Sequence, residues 1–505
     1  MMRVPGGRLR RPYWTRHPVA AIRHSAVVLS LVALALIAHG IALWSQRAIN
    51  LDGSYSSLAP ATPQRVALDL TVYYTASAAL MASYGGLLLL AIRGRVRGLG
   101  RVVVLAAPVL LQVALFLPRP WLSTDVMSYV AQGWLATAGG GNPYTDAPRD
   151  VLGTVLGGQL TALGWRPQTV VSPYGPLWTA YEMVVMTLSR DLGIATLLMK
   201  IAPLAASLGS AALIWQILGR VRPRLRLVGT VAFLWNPVVI TELAAEGHVD
   251  GVMVFLILLG LLATLRARPI GAAFAGSLAA MTKFIPLMLL PAQAVYLWRT
   301  ADEPQARRRL ALGGAVAVAT IVALFAPFWI GIRTLEGLRI MGQPGPWPTV
   351  TGFVYRYLER AYPAIDGGTV AAILVSGGFA IFLIHEARKV RDARTLLAAS
   401  ARTALAFILV AAPVFYPWYA VLPIALVALV PEMPYLAIVL LLTATSRVVA
   451  PLVDLRAAYE PIPAAAYTLT SVGLFLCIAL AIAFGVRALW AWAGAEPEES
   501  PAAAS

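Results

Sequence analysis

Apolar runs of about twenty residues recur from Ser25 onward, and short arginine-rich segments separate many of them. A helix of that length crosses the hydrocarbon of a bilayer, and only helices and closed barrels satisfy their own backbone polar groups there. With 59% hydrophobic and 12% charged residues among 505, the apolar surface is too extensive for any soluble core to hide. The chain therefore reads as an all-α polytopic membrane protein. Runs at 25–44, 68–92, 102–117, 196–218, 228–244, 250–266, 310–331, 368–386, 402–414, 417–430, 434–447 and 465–486, with a short pair at 270–282 and 284–298, predict about 13–14 transmembrane helices. Both termini are then cytoplasmic.

The net charge of +17 raises the question of a nucleic-acid partner, and its distribution answers it. Segments assigned to the inside (1–24, 93–101, 219–226, 266–268, 299–309, 386–402, 432 and 487 onward) hold 26 Lys/Arg against 8 Asp/Glu, while the remainder holds 14 against 15. That is the positive-inside pattern, so no nucleic acid is needed to explain the charge. The segment Gly175 to Leu188 is apolar enough to cross, but crossing would carry Arg220, Arg222, Arg224 and Arg226 outside. It is expected to lie along the outer interface instead, within an external stretch 118–195. One cysteine, Cys477, excludes a disulfide framework, and there is no Walker A sequence or glycine-rich nucleotide fingerprint. The expected organisation is a basic N-terminus (1–24), a catalytic transmembrane module (25–331), a C-terminal transmembrane module (332–490) and a disordered tail (491–505).

The main polar interruption is Ser123-Thr-Asp-Val-Met-Ser-Tyr-Val-Ala-Gln132, which follows the apolar segment ending at Pro118. Ser123 and Thr124 can cap a helix, and Asp125, Ser128 and Gln132 then share one face while Val126, Tyr129, Val130 and Trp134 share the other. This spacing predicts an external amphipathic helix with its apolar side in lipid and its carboxylate toward water or a ligand. Asp125 alone would also suit a plain helix start, where acids are common.

Other polar groups fall at the outer ends of predicted spans. Glu242, Glu246, His248 and Asp250 occupy one turn-rich stretch, Lys283 lies at the tip of the short pair, and Tyr416-Pro-Trp-Tyr419 and Arg447 lie at further ends. Ionisable groups near a bilayer are costly and mark function. His248 and Asp250 with Asp125 make an incomplete ligand set, so neither a metal nor a cofactor is expected.

In chain order, Ser-Thr-Asp125-Val-Met-Ser-Tyr-Val-Ala-Gln-Gly, Asn142-Pro-Tyr, Ser172-Pro-Tyr-Gly-Pro-Leu-Trp178, Gly247-His-Val-Asp-Gly251, Thr282-Lys-Phe-Ile-Pro286 and Tyr416-Pro-Trp-Tyr419 resemble the actinobacterial polyprenol-phosphate-mannose-dependent α-(1→6)-mannosyltransferases of the GT-C superfamily. The resemblance covers about 120–420. Val249 stands where many members carry Asn, so no sugar contact is carried over to it. The resemblance implies an inverting transfer of mannose from a polyprenyl-phosphate donor to a mannan or glycolipid acceptor, outside the plasma membrane, with Asp125 as general base. It and the outer polar groups make Tyr129, Gln132, Asn142, Tyr144, Tyr174, His248, Asp250, Lys283, Trp418 and Arg447 the candidate substrate-binding residues. A cation, Lys283, His248 or an outer arginine, would hold the departing phosphate. The competing reading is a polytopic transporter or lipid flippase; transporters often repeat broken helices in two similar halves, and these halves differ.

Overall fold

A computed structural model describes residues 18–49, 63–120, 122–165, 169–301, 303–455 and 461–493. Most of the expected basic N-terminus and nearly all of the expected tail lie outside them. The described residues form helices and no strands. Three long helices come first: α1 (Pro18–Ile49), α2 (Pro63–Ile92) and α3 (Gly98–Phe116). Shorter ones follow: α4 (Asp125–Thr137), α5 (Val155–Ala162) and α6 (Pro176–Leu188). The chain then continues through α7 (Leu192–Val221), α8 (Arg226–Leu234) and α9 (Pro237–Val239), which runs on as a π-helical Ile240–Ala245. After these come α10 (Asp250–Leu265), α11 (Pro269–Ala280), α12 (Leu290–Arg299), α13 (Pro304–Phe325), α14 (Glu336–Met341) and α15 (Val350–Ala361). The last five are α16 (Gly367–Lys389), α17 (Ala393–Ala406), α18 (Val421–Val427), α19 (Met433–Leu455) and α20 (Pro461–Ala493).

Among the described residues nine helices are long and apolar enough to cross a membrane, or ten if the pair α8 and α9, bent by 50°, is one span. The remaining spans read from hydropathy fall largely on three shorter apolar helices, Asp250–Leu265, Pro269–Ala280 and Pro417–Val427. Helices α13 and α16 bury only 11% of their apolar windows inside the protein and expose Leu312, Val318, Val322, Ile373, Leu374 and Ile381. In water that surface would aggregate; in lipid it costs nothing. This is a multi-pass membrane protein.

The break between α8 and α9 follows from Pro237, which lacks an N–H and cannot continue a helix from within. Asn236 supplies what the backbone loses: its Oδ1 accepts from Val238 N at 2.9 Å, and its Nδ2 donates to Thr443 Oγ1 at 2.9 Å and Tyr84 Oη at 3.3 Å. One apolar core runs from Val28 to Cys477, joining helices from both halves of the chain. A second, smaller core joins α4, α6 and α7 through Val126, Tyr129, Trp178, Val185 and Met199.

The bundle has two chemically distinct ends. At one, Arg101 and Arg226 lie over the Trp215 ring, Arg222 pairs with Glu432, Arg266 donates to Gln216, and Glu386 takes both Lys389 and Arg402. The opposite ends of α3, α7 and α10 carry the second group, around Phe116, Lys200 and Asp250.

Candidate active site

The helix that begins with Asp125 is anchored from outside itself. Leu122 N and Ser123 N both donate to Glu246 Oε2, at 2.9 and 3.0 Å. Lys200 Nζ donates to the carbonyls of Phe116 and Pro118 at 2.6 and 2.7 Å, answering acceptors left open where α3 ends. Ser123 Oγ accepts from Asp125 N at 3.1 Å, while Thr124, at the N-cap, makes no side-chain cap. These bonds hold Asp125 at the head of α4 with its side chain 14% exposed. Its Oδ2 accepts from Tyr174 Oη at 3.4 Å and faces His248 Nδ1 at 3.5 Å.

His248 follows a turn that only glycine enters freely: Gly247 has φ +74°, and a Cβ there would meet Lys200 Cγ at 2.7 Å. The imidazole is fully buried, with Nε2 3.2 Å from Glu242 Oε2. Its ring stacks on Trp418, centroids 4.0 Å apart. Burial opposes charge on the ring, but the contacts with Asp125 and Glu242 outweigh it and raise its pKa to about 10. Glu242 Oε1 in turn lies 4.0 Å from Arg447 Nη1, and the Arg447 guanidinium, 1% exposed, covers the Tyr73 ring.

A second ion pair joins the same site. Lys283 Nζ donates to both oxygens of Asp250, at 2.9 and 3.1 Å, and lies 4.3 Å from the centre of the Tyr419 ring. The turn carrying Lys283 is clasped by the start of α6, where Gly175 N donates to Thr282 O and Leu177 N to Met281 O. A Cβ on Gly175 would stand 2.1 Å from Met281 O, so no side chain fits at that crossing. Tyr129 packs edge-on against Tyr174 and Trp178 beneath Asp125.

The structure thus brings Asp125, Tyr129, Tyr174, His248, Asp250, Lys283, Trp418 and Arg447 together, with Glu242 as the link to Arg447. Three other candidates stand apart. Asn142 Nδ2 ties its loop to Phe328 O at 3.0 Å, and Tyr144 Oη meets Thr179 Oγ1 at 3.1 Å in a buried contact. Gln132 is fully buried two turns along α4, about 10 Å from Asp125 by helix rise.

The expected lipid-facing side of α4 is corrected. Val126, Tyr129 and Val130 are completely buried, as is Gln132 on the supposed wet face. The apolar stripe is real, but α6 and α7 cover it: Trp178 meets Tyr129, Met199 joins the same core, and Gly133 admits the backbone of Glu182. On the opposite side Trp165 Nε1 donates to Ser128 Oγ at 3.0 Å. Sequence reasoning also passed over Lys200 and Glu182. Each is the lone charge in an apolar stretch, a signal that ionisable groups at membrane depth generally give. Burial pushes the Glu182 carboxyl well above the usual carboxylate range.

From Pro176, beside the Gly175 crossing, an apolar groove of about 470 Å³ runs between α6 and the end of α13, lined by Ala180, Val184, Leu188, Leu324 and Phe328.

The chemistry of this site can be set beside known proteins. The family model described as alpha-(1->6)-mannopyranosyltransferase, N-terminal domain, matches residues 25–299, more than half of the chain. The alpha-(1->6)-mannopyranosyltransferase A of Corynebacterium glutamicum is 27% identical over 274 residues, 53% of this chain and 47% of that protein. The protein of the same name from Mycobacterium tuberculosis is 27% identical over 346 residues, 65% of this chain and 64% of its own length. The chain therefore matches from about half to just under two thirds of these relatives' lengths. Asp125, His248, Asp250 and Lys283 all fall within the matched 25–299, and the chain belongs to the alpha-(1->6)-mannopyranosyltransferase family.

Proposed function

We propose that the chain moves mannose from polyprenyl-phosphate mannose to an α-(1→6)-linked mannan or lipoglycan acceptor, inverting the anomeric centre, at the outer face of the plasma membrane. The observation that carries this reading is Asp125: one oxygen is engaged by His248 and Tyr174, while among the described residues no side chain bonds Oδ1. A sugar hydroxyl is too weak an acid to ionise near neutral pH, so a carboxylate held this way suits a general base. In the proposed step the acceptor oxygen bonds to the anomeric carbon as its proton passes to Asp125. The bond from that carbon to the phosphate oxygen breaks, and polyprenyl phosphate departs.

Lys283 is the better candidate for the departing charge, because its side chain retains 11% exposure whereas His248 has none. Its pairing with Asp250 offsets its charge at rest, and the added phosphate charge would draw it. The groove beginning at Pro176 suits a polyprenyl chain, and the arginine-rich opposite end supports an external site. The test is transfer by the purified full chain in detergent, from polyprenyl-phosphate mannose to a short α-(1→6)-mannan, with the product's anomeric configuration and linkage determined. Absence of any product would favour the transporter reading, since detergent abolishes gradients.

A further inference from the structure

We infer that Glu242 and Arg447 are positioning residues that orient the His248 ring and, through it, the Asp125 carboxylate. The inference rests on the general-base reading of Asp125 and assigns roles to two groups sealed away from any substrate. Four side chains stand in a row of alternating charge: Asp125, His248, Glu242 and Arg447, separated by 3.5, 3.2 and 4.0 Å. They come from four places in the chain, the head of α4, the turn after Gly247, the π-helical turn and α19. Glu242, His248 and Arg447 are each no more than 2% exposed.

The geometry of the ring explains the order. Each imidazole nitrogen lies within ion-pair distance of a carboxylate oxygen but is not aligned as a hydrogen bond, so hydrogen on both nitrogens keeps either contact from being repulsive and the attraction is between charges. A buried cation between two anions leaves an excess negative charge, and Arg447 balances it from the far side of Glu242. Stacking on Trp418 at 17° between ring planes fixes the plane of the ring between the two carboxylates. Trp418 and Arg447 lie outside the matched 25–299, so this bracing comes from the part of the chain beyond the family match. Both His248 nitrogens, Glu242 Oε1, Arg447 Nε and Arg447 Nη1 make no hydrogen bond within the described protein, which leaves ion pairing as their explanation.

Of the other titratable groups around the ring, Tyr174 bonds the same Asp125 oxygen, and the rest have separate partners. Asp250 and Lys283 pair with each other, Tyr129 packs on Tyr174, Tyr419 covers Lys283, and Lys200 donates to carbonyls beside Glu246. Burial opposes the charge, but the Asp125 and Glu242 carboxylates raise the His248 pKa from 6.5 to about 10, so the stabilisation is complete below 6.5 and is lost as pH rises through about 10.

The experiment compares full-length parent, Glu242→Gln, Arg447→Lys and Arg447→Met in detergent, using polyprenyl-phosphate mannose and a short α-(1→6)-mannan. Glu242→Gln should lower kcat about 10- to 100-fold, the usual worth of a group that orients another, with donor KM unchanged. The alkaline limb of its pH–rate profile should move to lower pH, since the imidazolium has lost one of its two anions. Arg447→Lys should fall less than Arg447→Met, and this pair decides if Glu242→Gln does not fold. A purely structural role would reduce folded protein and leave the profile where it was; an unshifted profile with parental kcat overturns the inference. If the parent itself transfers no mannose, the proposed function fails, and thermal unfolding between pH 7 and 10.5 decides the bracing role separately. There Glu242→Gln should lose stability at lower pH than the parent, and parallel curves overturn it.

Discussion

Asp125 Oδ2 and His248 Nδ1 lie 3.5 Å apart although 123 positions separate them in the chain, and the contact joins the head of α4 to the turn that follows a broken helix. The carboxylate is thereby held at the border between buried protein and accessible space.

Replacing Asp125 with Asn tests the base. The amide is nearly isosteric and cannot take a proton, so turnover should fall by about 10²- to 10⁴-fold while folding and donor binding persist. A role limited to the helix start would let Asn pass and cost Ala about 0.5–2 kcal/mol of stability. Initial rates on matched amounts of monodisperse protein separate the two.

Lys283→Ala should lower kcat by about 10²- to 10³-fold, because the leaving phosphate loses a preorganised cation. It also strands Asp250, so Lys283→Ala/Asp250→Ala should fold better than Lys283→Ala alone without regaining activity. Near-parental turnover in both at saturating donor would assign the phosphate to another cation.

Ala180→Trp fills the groove between α6 and α13 with an indole. The KM for a long polyprenyl donor should rise, and that for a donor analogue with a very short chain should not change. Equal effects on both would mean that the lipid lies elsewhere.

Glu182→Gln should stabilise the protein at neutral pH. Burial raises the Glu182 pKa, so between the unfolded and folded values the native state holds a proton that the unfolded chain releases, and stability falls as pH rises. The glutamine removes that dependence, and the gap between variant and parent in thermal unfolding should widen from pH 5 to 8. A variant that melts lower at every pH would show that the carboxyl has a partner it needs.

Orientation is checked with single cysteines in a Cys477→Ala background. Cysteines at Asp191 and Arg224 should react with impermeant maleimide from opposite sides, position 191 from outside. Labelling of 191 from the cytoplasmic side would invert the assignment of α6.

Hydropathy and arginine placement sufficed for the fold class, because a spanning helix must be apolar along its own length and that requirement is local. Hydropathy read 228–244 as one span and passed over Pro237, where the structure breaks it, while the motifs at 123–133, 172–178, 247–251 and 282–286 carried the family likeness. The family match over 25–299 agrees with that likeness. The surroundings of α4 were not local. A stripe of Val126, Tyr129 and Val130 looks the same facing lipid as facing α6 and α7, since both are apolar, and only packing distinguishes them. The partners of charged groups were equally hidden: that Lys283 meets Asp250, that His248 lies between Asp125 and Glu242, and that Asn142 and Tyr144 brace a loop instead. Ion pairing falls off over a few ångströms, and which residues come that close is set by how distant helices cross, which a linear pattern of residue types does not contain.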